Sequence, residues 1–364
     1  MYDLIIIGGG PAGAATAIGS ARGGARVLLL ERGRFPRHKV CGEFVSAESL
    51  ELLADLLGSQ HAGLLDKAIA IPRARAFVDH RVLQAPVEPP AASIARWDLD
   101  VALWDSAQRC GVETRQQVKV ERIAGSGPFL VTTSTGDFEA RAIVNASGRW
   151  SNLTVATSSH SREQPKWIGL KAHFAEARVP PSVDLYFFEG GYCGVQPVEL
   201  RADSVRSRIN ACAMVRTDVA RSLPELFALR PALRERAARW ETLTEPVSVA
   251  PLVFKKPEPA RDGILMVGDA AGFVDPFAGD GISLALRSGT LAAQCLAGFF
   301  AGEISLEVAI RRYAKEYAQR MAPVFRASSR IRRMLAMPRM VRKPVVSILQ
   351  YAPAITRYVV RKTR

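Results

Sequence analysis

The 364-residue chain lacks several things, and each absence excludes a class of protein. No uninterrupted apolar run approaches the ~18–20 residues needed to cross a bilayer, so no transmembrane helix is expected. The first apolar run has no basic segment before it and ends in glycines, so no signal peptide is expected either. Cysteines number only five, at positions 41, 110, 193, 212 and 295, and no two are spaced C-x-x-C. That argues against a disulfide framework and against zinc; no metal is expected, and a reducing cytoplasm is the expected compartment.

Acidic excess is also missing: the formal charge is +14. The surplus is local. Residues 311–364 hold fifteen Lys and Arg against one acid, Glu316, so the rest of the chain balances. A basic C-terminal segment, "RIRRMLAMPRMVRKPVVSILQYAPAITRYVVRK", mixes arginine with apolar residues, and Pro338, Pro344 and Pro353 should break it into short helices. Such a segment suits an anionic membrane surface, reached peripherally, or an acidic acyl carrier protein; it equally suits helices that cover a pocket. No nucleic-acid-binding module accompanies the charge, so nucleic acid is not an expected partner.

What the chain has in plenty, at its start, is glycine after a buried strand. MYDLIIIGGGPAGAATA reads as a strand over residues 3–7, then Gly8-Gly9-Gly10-Pro11-Ala12-Gly13, a G-x-G-x-x-G. An alanine-rich helix from about Pro11 to Arg22 follows, then a second apolar strand, 25–30, ending at Glu31 and Arg32. Gly8 permits the turn, Gly10 lets backbone approach a pyrophosphate, and Gly13 lets helix and strand pack. The helix N-terminus offers unpaired N–H groups to phosphate, and Glu31 can accept from ribose hydroxyls. Strand, motif, helix, strand and acid in this order predict a dinucleotide site.

A second strand end, Gly263-Ile-Leu-Met-Val-Gly-Asp-Ala-Ala-Gly272, places Gly268 and Asp269 where a ribitol hydroxyl can be bound. Phe273–Ile282 then sets Gly279, Gly281 and Ile282 at the start of a long helix, whose amides can face a flavin pyrimidine.

Together, "GGGPAG…LLLER" and "GDAAGFVDPFAGDGISLALRSG" resemble the para-hydroxybenzoate hydroxylase superfamily of FAD enzymes. "FPRHKVCGEFVSAESLELL", residues 35–53, most resembles its geranylgeranyl reductase branch and is also similar to flavin-dependent halogenases. The resemblance spans roughly residues 1–310. It implies FAD as cofactor, Asp269 on the ribitol, Gly279 and Gly281 beside the isoalloxazine, and Arg96 on the phosphate or ribityl region. It places Cys41 and Gly42 beside the flavin, with Cys41 touching substrate or tuning the flavin, and with Arg37 and Lys39 near enough in sequence to activate the thiol. Glu43 reads as a possible acid or as a cap for a helix at about 46–57. The chain departs from the superfamily at Ser147-Gly148, where Asp-Gly is common, and it has no second G-x-G-x-x-G after a strand. The electron donor is therefore left as NAD(P)H or an external reductase. Gly191–Pro197 stands in place of the halogenase W-x-W-x-I-P, which argues against halogenation.

Between the motifs, residues 74–82, 167–175, 183–189, 194–198 and 208–215 read as strands and 224–240 as a helix. Tyr186, Phe187, Phe188, Tyr192 and Gln196 are candidate pocket residues, and His173 a candidate proton donor. The expected fold is α/β: a discontinuous Rossmann-type FAD-binding domain (1–71, 95–159 and 253–310), an antiparallel-sheet substrate domain (72–94 and 160–252) and a helical basic segment (311–364). The expected function is flavin-dependent reduction of a C=C bond in a hydrophobic, prenyl, lipid or carrier-tethered substrate. The alternatives are aromatic hydroxylation and a flavoprotein without turnover.

Overall fold

In the computed structural model, the described residues are 1–149, 166–200, 206–254, 256–275, 277, 279–335 and 337. They form two sheets and the helices packed on them. The first sheet runs, in spatial order, Ala260–Arg261, Ile264–Met266, Gly136–Asn145, Tyr2–Ile7, Val27–Glu31 and Glu113–Gln116. From Ile264–Met266 to Glu113–Gln116 the pairings are parallel. Strand Tyr2–Ile7 sits mid-sheet and is covered on both faces, which is why its sequence is a continuous apolar run. Leu4 and Ile6 pack toward the Pro11–Arg22, Arg96–Arg109 and Gly281–Phe300 helices, while Ile5 and Ile7 pack on Phe129 and Val131 of an antiparallel meander. This is the mixed α/β, Rossmann-type architecture expected.

The second sheet is mainly antiparallel, with one parallel pairing between Ile69–Val78 and Ser182–Phe188. Its strands Trp167–Glu176, Ser207–Arg216, Gly191–Glu199 and Ser182–Phe188 are neighbours in that order, followed by Ile69–Val78 and Arg81–Ser93. One face of this sheet packs on Leu223, Leu226, Phe227 and Leu233. Those residues belong to two helices, Leu223–Ala228 and Pro231–Ala237, where one was expected over 224–240; proline at 231 lacks the N–H that continuation needs and starts a new helix instead. The other face looks back toward the first sheet.

The basic segment begins with two helices, Leu306–Arg320 and Ala322–Leu335. Pro338, Pro344, Pro353 and the rest of that segment lie outside the described residues, as does Trp150–Ser151 of the strand end read in the sequence. No described helix is long and apolar enough to cross a membrane.

Candidate functional site

The sequence puts glycine at three points of the first loop, and each has a separate steric reason. Gly8 has φ +107°, and a Cβ there would lie 2.3 Å from the Ala146 carbonyl oxygen. A Cβ on Gly13 would lie 1.9 Å from Gly8 O, so only glycine lets the helix sit this close to the strand. Gly10 differs: a Cβ there would meet only Arg96 Nη2 at 3.7 Å and Lys39 Nζ at 4.0 Å. Its hydrogen faces an open cradle walled by two cations at the N-terminus of the Pro11–Arg22 helix, the chemistry a pyrophosphate requires.

Glu31 ends the neighbouring strand and is buried. Its carboxylate accepts from Gly9 N (3.0 Å), Gly33 N (2.7 Å) and Arg37 Nη2 (2.6 Å). Burial alone would raise its pKa, but Lys39, Arg37 and the two amides outweigh it and hold the group ionised. Arg96 forms a two-pronged pair with buried Asp100, 2.7 Å at each prong. Burial opposes its charge, yet Asp100 and the Cys41 thiol beside it keep it protonated. Arg96, rather than Arg37 or Lys39, is thus the cation against Cys41: Arg37 is spent on Glu31.

At the far strand end Gly268 takes φ +58° and gives its N–H to Ser288 Oγ at 2.9 Å. Asp269 projects from the turn Gly268–Ala270, with Arg149 Nε 3.3 Å away. Burial raises the Asp269 pKa against the opposing charges of Arg149, Arg96 and Lys39. Gly279 takes φ +76° against the Phe44 ring, and Gly281 opens the 20-residue helix Gly281–Phe300 with open space at its Cα.

One cavity of about 1010 Å³ joins these parts. Gly8, Gly10, Pro11, Ala12, Glu31, Arg32, Lys39, Cys41, Gly42, Arg96, Gly268, Asp269, Gly279, Gly281 and Ile282 all line it, so the structure brings the two distant sequence motifs to a single groove. Gly13 acts behind it, at the helix–strand contact.

The groove widens over the second sheet into a chamber with largely apolar walls. Val183, Leu185 and Phe187 from one strand, Tyr192 and Gly194 from the next, and Met214 beyond them face it, with Phe273 in the same apolar cluster and Phe277 in ring contact with Phe187 and Tyr192. Of the candidate pocket residues, Tyr192 and Gln196 line the cavity. Tyr186 and Phe188 do not: they point to the other face, where Tyr186 stacks on Phe77 at 4.3 Å and accepts from Arg236 Nη1 at 3.2 Å. Strand side chains alternate, and the chamber-facing set on this strand is odd-numbered. The helix Ala322–Leu335 supplies Ile331 and Met334 to the chamber wall. Its Arg332 lies 4.1 Å over the Phe254 ring and 3.5 Å from Asp275. Burial pushes the Asp275 carboxyl up to about 7 despite Arg332.

Glu43 is not an exposed acid, and it does not cap the helix expected at about 46–57; its carboxylate instead meets the first amide of the Arg96–Arg109 helix. It is fully buried, with φ +61°, and sits between the sheets. Oε1 accepts from Lys171 Nζ (2.5 Å) and Arg96 N (2.8 Å), and Oε2 pairs with His173 Nε2 (2.8 Å). Its carbonyl accepts from Gln196 Nε2 at 3.1 Å and from Ile94 N at 3.0 Å. Against the burial penalty, His173 and Lys171 lower its pKa to about 2. Sequence reading missed Lys171 altogether. The available signal was a Lys and a His two apart in the apolar strand Trp167–Glu176, which puts both on one face with no water to meet them. His173, the candidate proton donor, is itself fully buried and does not line the chamber.

The donors fit a flavin dinucleotide: an open glycine cradle flanked by cations, an acid at each strand end, and a glycine-edged helix start along one groove. Comparison with known proteins agrees. The profile of the FAD binding domain family matches residues 1–328. The chain is 25% identical over 320 residues to the 1H-pyrrole-2-carbonyl-(peptidyl-carrier protein) brominase of Pseudoalteromonas luteoviolacea, covering 81% of this chain and 77% of that one. It is 25% identical over 355 residues to digeranylgeranylglycerophospholipid reductase 2 of Methanopyrus kandleri, covering 89% and 84%. The solved structure of the flavin-dependent brominase Bmp2 superposes with a TM-score of 0.73 at 21% identity, over 99% of this chain and 98% of that one; at this identity the likeness is one of fold.

Proposed function

The chain belongs to the FAD binding domain family of FAD-dependent enzymes, and on that premise we propose that it reduces a carbon–carbon double bond in an apolar substrate, a prenyl or other lipid chain or a carrier-tethered acyl group. Bound and reduced, FAD supplies a hydride for one alkene carbon, and a proton completes the other. Gly10, the helix N-terminus, Lys39 and Arg96 hold the pyrophosphate. Glu31 and Arg32 flank the adenosine end. Asp269 takes a ribitol hydroxyl, and the Gly279–Gly281 amides face the pyrimidine edge. Cys41 and Gly42 approach the ring from the loop opposite. NAD(P)H or a partner reductase supplies the electrons.

The observation that carries this reading is the chamber. Leu185, Phe187, Tyr192, Met214, Phe273 and Phe277 make a wall that excludes water beside the glycine edge and offers an alkyl chain the contacts it needs. The reductase relative supports an alkene substrate. The brominase relative favours a second reading, halogenation of a carrier-bound ring, against which Gly191–Pro197 lacks the W-x-W-x-I-P segment. Hydroxylation shares the same oxygen-dependent test.

Photoreduced holoenzyme, mixed without oxygen with geranylgeraniol or an enoyl-pantetheine thioester, should reoxidise as the alkene gains two hydrogens, read by mass spectrometry. A flavin that stays reduced with both probes, and that gives a brominated or hydroxylated aromatic product only with oxygen, contradicts the reading.

A further inference from the structure

Beside the groove lies a set of buried titratable groups that flavin binding does not use. Glu43 is ionised and can only accept hydrogen bonds, so the proton between it and His173 resides on His173 Nε2. The other ring nitrogen, Nδ1, then carries the lone pair. It is buried and has no hydrogen-bond partner among the described residues. The His38 ring lies edge-on to it, centroids 5.3 Å apart at 86°, and His38 Nδ1 is likewise buried and unpartnered. His38 lines the groove. The His38 ring also packs, tilted by 35°, against the exposed Trp97, centroids 4.6 Å apart. Two facing imidazoles with orphan nitrogens, one reaching the groove and one anchored to a fixed carboxylate, are costly to leave dry.

We infer that His38 and His173 form a proton relay into the groove, joined through one ordered water or a turn of the His38 ring, with the Glu43 carboxylate, held in place by Lys171, as its fixed counter-charge. The relay deepens the proposed function: His38 releases its proton to the second alkene carbon and becomes neutral. Before turnover the Nδ1 lone pair of His173 takes up a proton from solvent by way of groove-lining His38, with Glu43 stabilising the resulting imidazolium, and this proton then passes back to the neutral His38. The groups facing His38 tune it. Burial lowers its pKa first, then Lys171, His173 and Arg208 as like charges, while Glu43 opposes them. Asp98 stands at the outer end of the same cluster, its pKa raised by burial. The relay rests on the alkene-reduction reading only for where the proton goes; its existence can be tested without substrate.

The test uses FAD-loaded full-length protein, wild type, His38→Gln and His173→Gln. The flavin midpoint potential is followed from pH 5 to 8, the interval about the ordinary histidine pKa of ~6.5. Reduction places negative charge on the flavin, so a linked imidazole takes up a proton and bends the potential–pH plot. We expect that inflection in the wild type and its loss in both variants. Imidazole NMR of the oxidised protein should show the His38 midpoint rising in His173→Gln. Superimposable potential plots, or a His38 titration indifferent to residue 173, overturn the relay. Both readouts precede any alkene, so failure to reduce one leaves them distinct; if His173→Gln loses FAD, His38→Gln decides alone.

Discussion

Glu43 shows how one residue can tie two sheets together. It holds Lys171, His173 and the Arg96 amide with its carboxylate, and Gln196 with its carbonyl. A left-handed backbone at a glutamate is unfavourable, and these contacts offset it. Because the folded pKa is lowered from 4.5 to about 2, the stabilisation is present above 4.5 and is lost as pH falls toward 2. Glu43→Gln leaves Lys171 buried beside a neutral group and should cost about 3 kcal/mol at pH 7. Urea unfolding at pH 7 and at pH 3 measures this: the gap between wild type and variant should narrow at the lower pH. A constant gap would mean the charge is not what holds the pair. The glycines were legible in the sequence because their steric demands are local. Glu43 was not, since its partners lie 53 to 153 residues away and only the fold brings them together.

Secondary-structure elements were legible in type, and less so in phase. The helix Pro11–Arg22 begins and ends where proline and glycine place it. On strand Ser182–Phe188 the aromatic run Tyr186-Phe187-Phe188 gives no alternation to read, so the sequence cannot say which face each ring takes. The partners decide: Arg236 and Phe77 hold Tyr186 on the covered face. Phe187→Ala should therefore enlarge the chamber and weaken substrate binding while costing about 1 kcal/mol of stability, whereas Tyr186→Ala should cost about 3–5 kcal/mol and leave the chamber unchanged. Thermal unfolding and substrate-induced quenching of the flavin, measured on both variants, separate the two faces. The reverse pattern would mean the register is off by one. The basic segment 311–364 suits, by sequence, a membrane surface, a carrier protein or a pocket cover; its helix Ala322–Leu335 lies against the chamber through Ile331, Met334 and the Arg332–Asp275 contact.

The whole molecule is a groove between two sheets. One sheet carries both nucleotide-binding strand ends, and the other roofs the reactive end with apolar side chains. The two ends of the nucleotide site were readable because each is a strand stop, a glycine and an acid. The chamber was only outlined, since pocket shape depends on which sheet faces inward. The division into 1–71, 95–159 and 253–310 against 72–94 and 160–252 remains our proposal for the domain boundaries, with 311–364 as a third part.

The central claim is that one FAD lies along this groove with its pyrophosphate on Gly10 and its ribitol on Asp269. Titration of apoprotein with FAD, followed by flavin absorbance, tests it most directly. Wild type should take up one FAD per chain. Gly10→Val, which fills the cradle, and Asp269→Ala should each bind at least about tenfold more weakly while keeping the wild-type circular dichroism. A folded wild type that stays colourless, or a Gly10→Val variant that binds FAD as tightly as wild type, would contradict the account.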